Sequence, residues 1–74
     1  MSSETKREIF IEMAEGRTNR CIKNIRLLRE LSNPNKYQYT LGDLERIQQR
    51  VQEELDAMMH EFKASLLTEN DFKL

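Results

Sequence analysis

The chain has 74 residues, of which 38% are hydrophobic and 34% charged, and 12 Lys and Arg against 13 Asp and Glu give a net charge of −1. This length holds one small domain and excludes barrels, kinases and two-domain dehydrogenases. The balanced charge argues against a general nucleic-acid coat, and no apolar run approaches the ~18 residues that a membrane span needs. The charged N-terminus is followed by no apolar stretch, so no signal peptide is predicted.

The first predicted element is a helix over about residues 4–31. Ser2 or Ser3 can cap its start, because a short side-chain oxygen there accepts a bond from the first backbone N–H groups. Five apolar side chains recur with the helical period and share one face: Phe10, Ala14, Cys21, Ile25 and Leu28. Gly16 is the weak point, since an interior glycine costs about 0.5–1 kcal/mol relative to alanine. A break near Gly16 is therefore the alternative prediction.

A turn is predicted around the only proline, Pro34, which separates the two halves of the chain. The run Ser32-Asn33-Pro34-Asn35 consists of residue types that favour turns. Because the residue before a proline is pushed out of the α region, Asn33 should lie outside any helix.

The second predicted element is a helix over about residues 41–67. Its apolar residues follow one another at spacings of three or four: Leu44, Ile47, Val51, Leu55, Met58, Phe62 and Leu66. Thr40 should cap the first turn, with Asp43 reaching back to complete a capping box. Tyr39 and Leu44 are spaced to form a hydrophobic staple across that cap.

Two helices of similar length and a short connection predict an all-α fold, an antiparallel helical hairpin over residues 1–67. Residues 68–74 are predicted to form a flexible acidic tail, which could also serve as a binding motif. Several apolar residues lie off the two main stripes: Ile9, Ile11, Met13, Ile22, Leu27, Leu31 and Met59. This surplus favours a homodimer that forms a four-helix bundle. A different partner protein, or a three-helix fold split at Gly16, would also cover it.

The surface predicted to bind a partner is the leftover apolar band of the first helix with the cations that border it. Its residues are Ile9, Met13, Arg20, Ile22, Lys23, Arg26 and Leu27. On this interpretation the chain is a small non-enzymatic interaction or regulatory module that works as a homodimer or with a partner protein.

A nucleic-acid-binding regulator is the alternative function, because residues 1–33 carry seven basic and five acidic residues. The residues that would bind are Arg17, Arg20, Lys23, Arg26 and Lys36. Cations three residues apart drift by about 60° around a helix, however, and the acidic second helix offers them partners. Cations that are solvated or paired across the hairpin are therefore the favoured interpretation. Tyr37 and Tyr39 could stack on bases, but covering the hairpin end explains them first.

The sequence offers no candidate for catalysis. His60 should be an exposed residue on the polar side of its helix, with no nucleophile placed beside it. Cys21 lies on the apolar face, where a small buried side chain is expected rather than a nucleophile. One cysteine and one histidine cannot build a zinc site, so no metal, cofactor or small-molecule substrate is predicted. A free cysteine suits a reducing cytoplasm.

The central part of the chain resembles a group of short bacterial helical proteins with a shared order of R-x-N, I-R, L-S-N and Y-x-Y-T/S. Here the elements are Arg17-Thr18-Asn19, Ile25-Arg26, Leu31-Ser32-Asn33 and Tyr37-Gln38-Tyr39-Thr40, and the likeness covers about residues 10–62. It implies no activity. The expected architecture is also similar to the Rop family of plasmid RNA-regulatory proteins, which are dimers of helical hairpins. That likeness is one of fold only, so no functional residue is transferred from it. Small size and these resemblances suggest a phage, a plasmid or another mobile element as the origin.

Overall fold

The computed structural model describes the backbone of residues 3–71 and the side chains of residues 4–67. Within that part of the chain it contains two α-helices and one 3-10 turn, and no strand. Helix α1 is Ser3–Arg29, the 3-10 turn is Glu30–Ser32, and helix α2 is Leu41–Asp71. The predicted all-α class with two helices is confirmed. The chain divides into two units, one built on α1 and the other on α2.

Helix α1 runs without interruption through Gly16, so the alternative of a break there, and the three-helix fold that needed it, is wrong. The backbone of Gly16 has no positive φ and lies within the continuous helix. The α-helix ends at Arg29, two residues before the predicted end, and a 3-10 turn follows. Such tightening is common where a helix is about to end. The caps predicted for Ser2 and Ser3 lie outside the described side chains.

The segment after α1 leaves the helix at Asn33, as predicted, with φ −74° and ψ 108°. The carbonyl of Asn33 accepts bonds from the backbone N–H groups of Lys36 (3.1 Å) and Tyr37 (3.0 Å). Its side-chain oxygen accepts a third bond from the backbone N–H of Asn35, at 3.0 Å. Asn33 thus stabilises the turn with hydrogen bonds to both its backbone carbonyl and its side-chain oxygen. Pro34 keeps the backbone of Asn33 extended.

Helix α2 begins with the predicted capping box. The Thr40 hydroxyl accepts a bond from the backbone N–H of Asp43 at 3.1 Å, and an Asp43 carboxylate oxygen accepts one from the backbone N–H of Thr40 at 3.0 Å. The Thr40 carbonyl accepts the first helical bond from Leu44. The staple between Tyr39 and Leu44 stays a prediction.

Helix α2 continues to Asp71, four residues beyond the predicted end at 67. The prediction failed because the segment after Leu67 lacks the apolar spacing that marks the rest of the helix, although nothing in it breaks a helix. Residues 72–74 lie outside the described part of the chain, as do the side chains of residues 68–71. The predicted tail motif therefore stays a prediction.

No hydrophobic side chain among those described is buried. Each unit is built on a single α-helix. Within one helix, neighbouring side chains and the backbone shield only about half of the surface of each large apolar side chain. Cys21, expected to be buried, is free and exposed. In the described residues, neither helix has an apolar segment of the length and hydropathy needed to cross a membrane.

Candidate interaction surfaces

The longest apolar surface lies on α2 and is here named the α2 stripe. It consists of Leu44, Ile47, Val51, Leu55, Met58, Phe62 and Leu66. At 100° per residue these seven fall within an arc of about 100°, and no charged residue between Leu44 and Leu66 lies in that arc. Every one of them is between 44% and 58% exposed. The stripe is therefore an uncharged, mainly apolar surface about 33 Å long, with Gln48 and Ser65 at its edges, and water contacts it along its whole length.

Polar side chains beside the stripe are linked along the helix. Arg50 bonds Glu54 at 2.6 Å and lies 3.8 Å from Glu53. Because the Glu54 carboxylate accepts this bond, the pKa of Arg50 is raised above its ordinary value. Further links join Arg46 to Asp43, Gln49 to Glu53 and Gln52 to Asp56. Some of the carboxylates expected to pair with α1 thus have partners within α2.

The polar side of α2 carries a row of neighbouring carboxylates and amides. Its residues are Glu45, Gln48, Gln49, Gln52, Glu53 and Asp56. No group of three potential ligands that could hold a metal ion occurs within the described residues. His60 is exposed on the same side of the helix, as predicted.

Helix α1 brings together five of the seven residues predicted to bind a partner. Ile9 and Leu27 are 18 residues apart, which is five full turns, so they point in the same direction. Met13 lies about 40° to one side of that direction and Lys23 about 40° to the other, with Arg20 between Ile9 and Met13. We name this surface the second α1 face, because it is separate from the stripe that contains Phe10 and Leu28.

The other two residues predicted to bind a partner lie elsewhere on α1. On the same continuous helix Ile22 is about 140° from the direction of Ile9 and Leu27, and Arg26 is about 100° from it. Both are exposed. They cannot contact one flat partner together with the second α1 face.

The five residues proposed for nucleic-acid binding do not form one strip. Arg17, Arg20, Lys23 and Arg26 turn by about 60° at each step, so they cover about half of the circumference of α1. Lys36 follows in the turn. All five are exposed, and none of them belongs to an ion pair described within residues 4–67.

One local contact was not foreseen from the sequence. The Arg7 guanidinium lies over the ring of Phe10, 5.8 Å from its centroid. This distance is within the range of a cation–π interaction. The spacing of three residues, which places both side chains on one face of a helix, is the signal that could have predicted it.

Comparison with known proteins gives no relative: no family model, no curated protein and no solved structure matches the chain. The function is therefore argued from the apolar and charged surfaces of the two helices.

Proposed function

We propose that this chain is a small, non-enzymatic protein–protein interaction module with a regulatory role, built as an antiparallel helical hairpin. The observation that carries the proposal is that the chain has more exposed apolar surface than one hairpin would cover: beside the α2 stripe, which α1 would cover, Ile9, Met13 and Leu27 of the second α1 face are 44%, 47% and 52% exposed. Apolar side chains gain about 1.5–3 kcal/mol each on full burial, so this remaining apolar face favours association with another molecule. Nothing in the proposal requires catalysis.

The hairpin is supported by a mirror relation between the two stripes. In antiparallel helices, residues at the same height have numbers with a constant sum. The sum is 72 for five apolar pairs: Phe10 with Phe62, Ala14 with Met58, Cys21 with Val51, Ile25 with Ile47, and Leu28 with Leu44. The centre of this relation is Lys36, which lies in the turn. The relation covers five of the seven residues of the α2 stripe, since Leu55 and Leu66 face Arg17 and Lys6 in this register.

The pairing leaves the second α1 face uncovered, and this face is the proposed binding surface. Two occupants fit the exposed side chains of Ile9, Met13 and Leu27. A second copy would complete a four-helix bundle, and a different protein would make the chain an adaptor. The free thiol of Cys21 suits a reducing compartment such as the cytoplasm.

A nucleic-acid-binding regulator is the second candidate function. One observation favours it, because the cations of α1 take part in no ion pair within the described residues. Their spread over half of the helix circumference disfavours it, since a phosphate backbone contacts one side of a rod at a time. An origin on a mobile element would suit either function.

Light scattering behind a sizing column, combined with partner capture from cell extract, tests the proposed function. The chain has a mass of 8.9 kDa, so a homodimer or a stable complex separates clearly from a monomer. Leu27→Asp should abolish capture or dimerisation, whereas Ile22→Asp, which lies off the second α1 face, should weaken it less. A compact monomer that binds no hydrophobic dye would contradict the proposal. Binding of RNA or DNA that falls steeply with salt would favour the second candidate.

A further inference from the structure

The second α1 face has apolar ends and a cationic middle. Ile9 and Met13 lie at its N-terminal end and Leu27 at its C-terminal end, and they are 44%, 47% and 52% exposed. Between them come the exposed cations Arg20 and Lys23. From Ile9 to Leu27 the face is about 27 Å long, or five helical turns.

Gly16 lies on this same face, about 20° from the direction of Ile9 and Leu27. A Cβ added to it would meet no atom within 4 Å. The helix therefore has a shallow place on the second α1 face, where the backbone of another element can approach closely.

A second copy of the chain matches only the apolar part of this face. An antiparallel pairing centred on residue 18 would align Ile9 with Leu27 of the other copy, which suits the apolar ends. The same pairing puts Arg20 opposite Gly16 and Lys23 opposite Met13, so neither cation meets a carboxylate. The charges of the face therefore stay without a complement in a pair of identical copies.

A nucleic acid matches the face poorly as well. Phosphates would satisfy Arg20 and Lys23 but would leave Ile9, Met13 and Leu27 against a strongly hydrated backbone. A partner with apolar groups at both ends and negative charge in the middle complements every part of the face. An amphipathic helix supplies that pattern over five turns.

We propose that the second α1 face docks an amphipathic helix of another protein, with apolar side chains in its first and last turns and carboxylates in the turns between. The inference rests on the proposed function and names its partner chemistry. The carboxylates face Arg20 and Lys23, and the partner helix crosses α1 at Gly16.

Three synthetic helical peptides of about 22 residues test the proposal against the full chain. All three carry Leu in the first and last turns of one face, and they differ only in the middle turns, which carry Glu, Gln or Lys. Fluorescence anisotropy of the labelled peptides should show the Glu peptide binding about tenfold more tightly than the Gln peptide, with the difference reduced at high salt. The Lys peptide should bind most weakly.

A matched pair of variants tests the site. Arg20→Glu should abolish the preference for the Glu peptide over the Lys peptide, because the new carboxylate offsets the charge of Lys23 and leaves the middle of the face with no net charge. Arg26→Glu makes the same change about 100° away and should leave the order intact. Leu27→Asp should weaken all three peptides.

Equal binding of the Glu and Gln peptides would overturn the acidic partner while leaving an interaction module in place. Failure of all three peptides, together with a compact monomer that binds no hydrophobic dye, would overturn the proposed function too. Self-association that is lost in Leu27→Asp would assign the face to a second copy instead. If the chain binds an oligonucleotide and Arg20→Glu and Arg26→Glu weaken that binding equally, the cations of α1 would instead form a nucleic-acid-binding surface.

Discussion

Thr40 and Asp43 determine where α2 begins, and both were identified from their types and spacing alone. Each side chain satisfies a backbone N–H group that the first turn of a helix leaves without a partner. The interaction is local in sequence, so no knowledge of the tertiary structure was needed to predict it. The extended backbone of Asn33 could also be predicted locally, because a proline at the next position disfavours helical backbone angles.

Thr40→Ala should destabilise α2 by about 1 kcal/mol, because it removes the hydroxyl that accepts the Asp43 N–H bond. The effect should appear as lower helicity in circular dichroism and a lower thermal midpoint. Thr18→Ala deletes the same atoms within α1 and should leave helicity equal or higher, since alanine is the better helix former. Equal losses in the two variants would argue against the capping role.

Gly16→Ala should stabilise the free chain by about 0.5–1 kcal/mol, because the added Cβ meets nothing within 4 Å and the backbone is already helical. Gly42→Ala, in the first turn of α2, is the matched control, and its Cβ would lie 3.6 Å from the Thr40 hydroxyl. Its gain should be smaller. Urea unfolding followed by circular dichroism measures both, and a loss of stability in Gly16→Ala would show that the site is crowded in solution.

At the scale of the element, α2 combines an apolar side with a polar side whose members are linked at spacings of three and four. The apolar period predicted the helix and its start, but placed the end four residues too early. Helix ends are set by fraying and local capping, and the sequence after Leu67 contains neither a glycine nor a proline that would stop the helix.

Glu54→Gln should lower the helicity of α2 slightly, because it removes the partner that Arg50 bonds at 2.6 Å. The loss should shrink as salt is added, since both side chains are well exposed. The Arg50 guanidinium is charged at any ordinary pH, as arginine side chains are in proteins. Glu45→Gln removes the same charge elsewhere on α2, and a salt-sensitive loss as large as that of Glu54→Gln would contradict the role of this pair.

At the scale of the whole molecule, the fold class follows from the sequence, while the identity of what covers the helices does not. Periodicity identifies which side of α1 and α2 is apolar, because it depends on each helix alone. What buries those apolar sides depends on the surface that packs against them, and the period of one helix carries no information about that surface. Ile22 illustrates the limit: it was grouped with Ile9 and Leu27 because all three lie off the main apolar stripe, and their angular positions on one continuous helix separate it from the other two.

The mirror relation predicts that Val51→Cys will form an intramolecular disulfide with the native Cys21 under mild oxidation. The two positions sum to 72, and the Cys21 thiol is free and exposed. Glu53→Cys is the control, because it lies about 160° from Val51 around α2. Non-reducing electrophoresis and peptide mass mapping distinguish an internal bond from one between copies. Equal internal crosslinking of the two variants would rule out the proposed register.

No apolar side chain described in either helical unit is buried, and this partial exposure has a cellular consequence. If another protein buries these apolar side chains, the folded chain is stabilised only while that protein is bound. The concentration of the companion protein then sets the lifetime of each copy of the chain. Surplus copies would offer their backbones to proteases, so the two abundances would stay matched without any dedicated sensor.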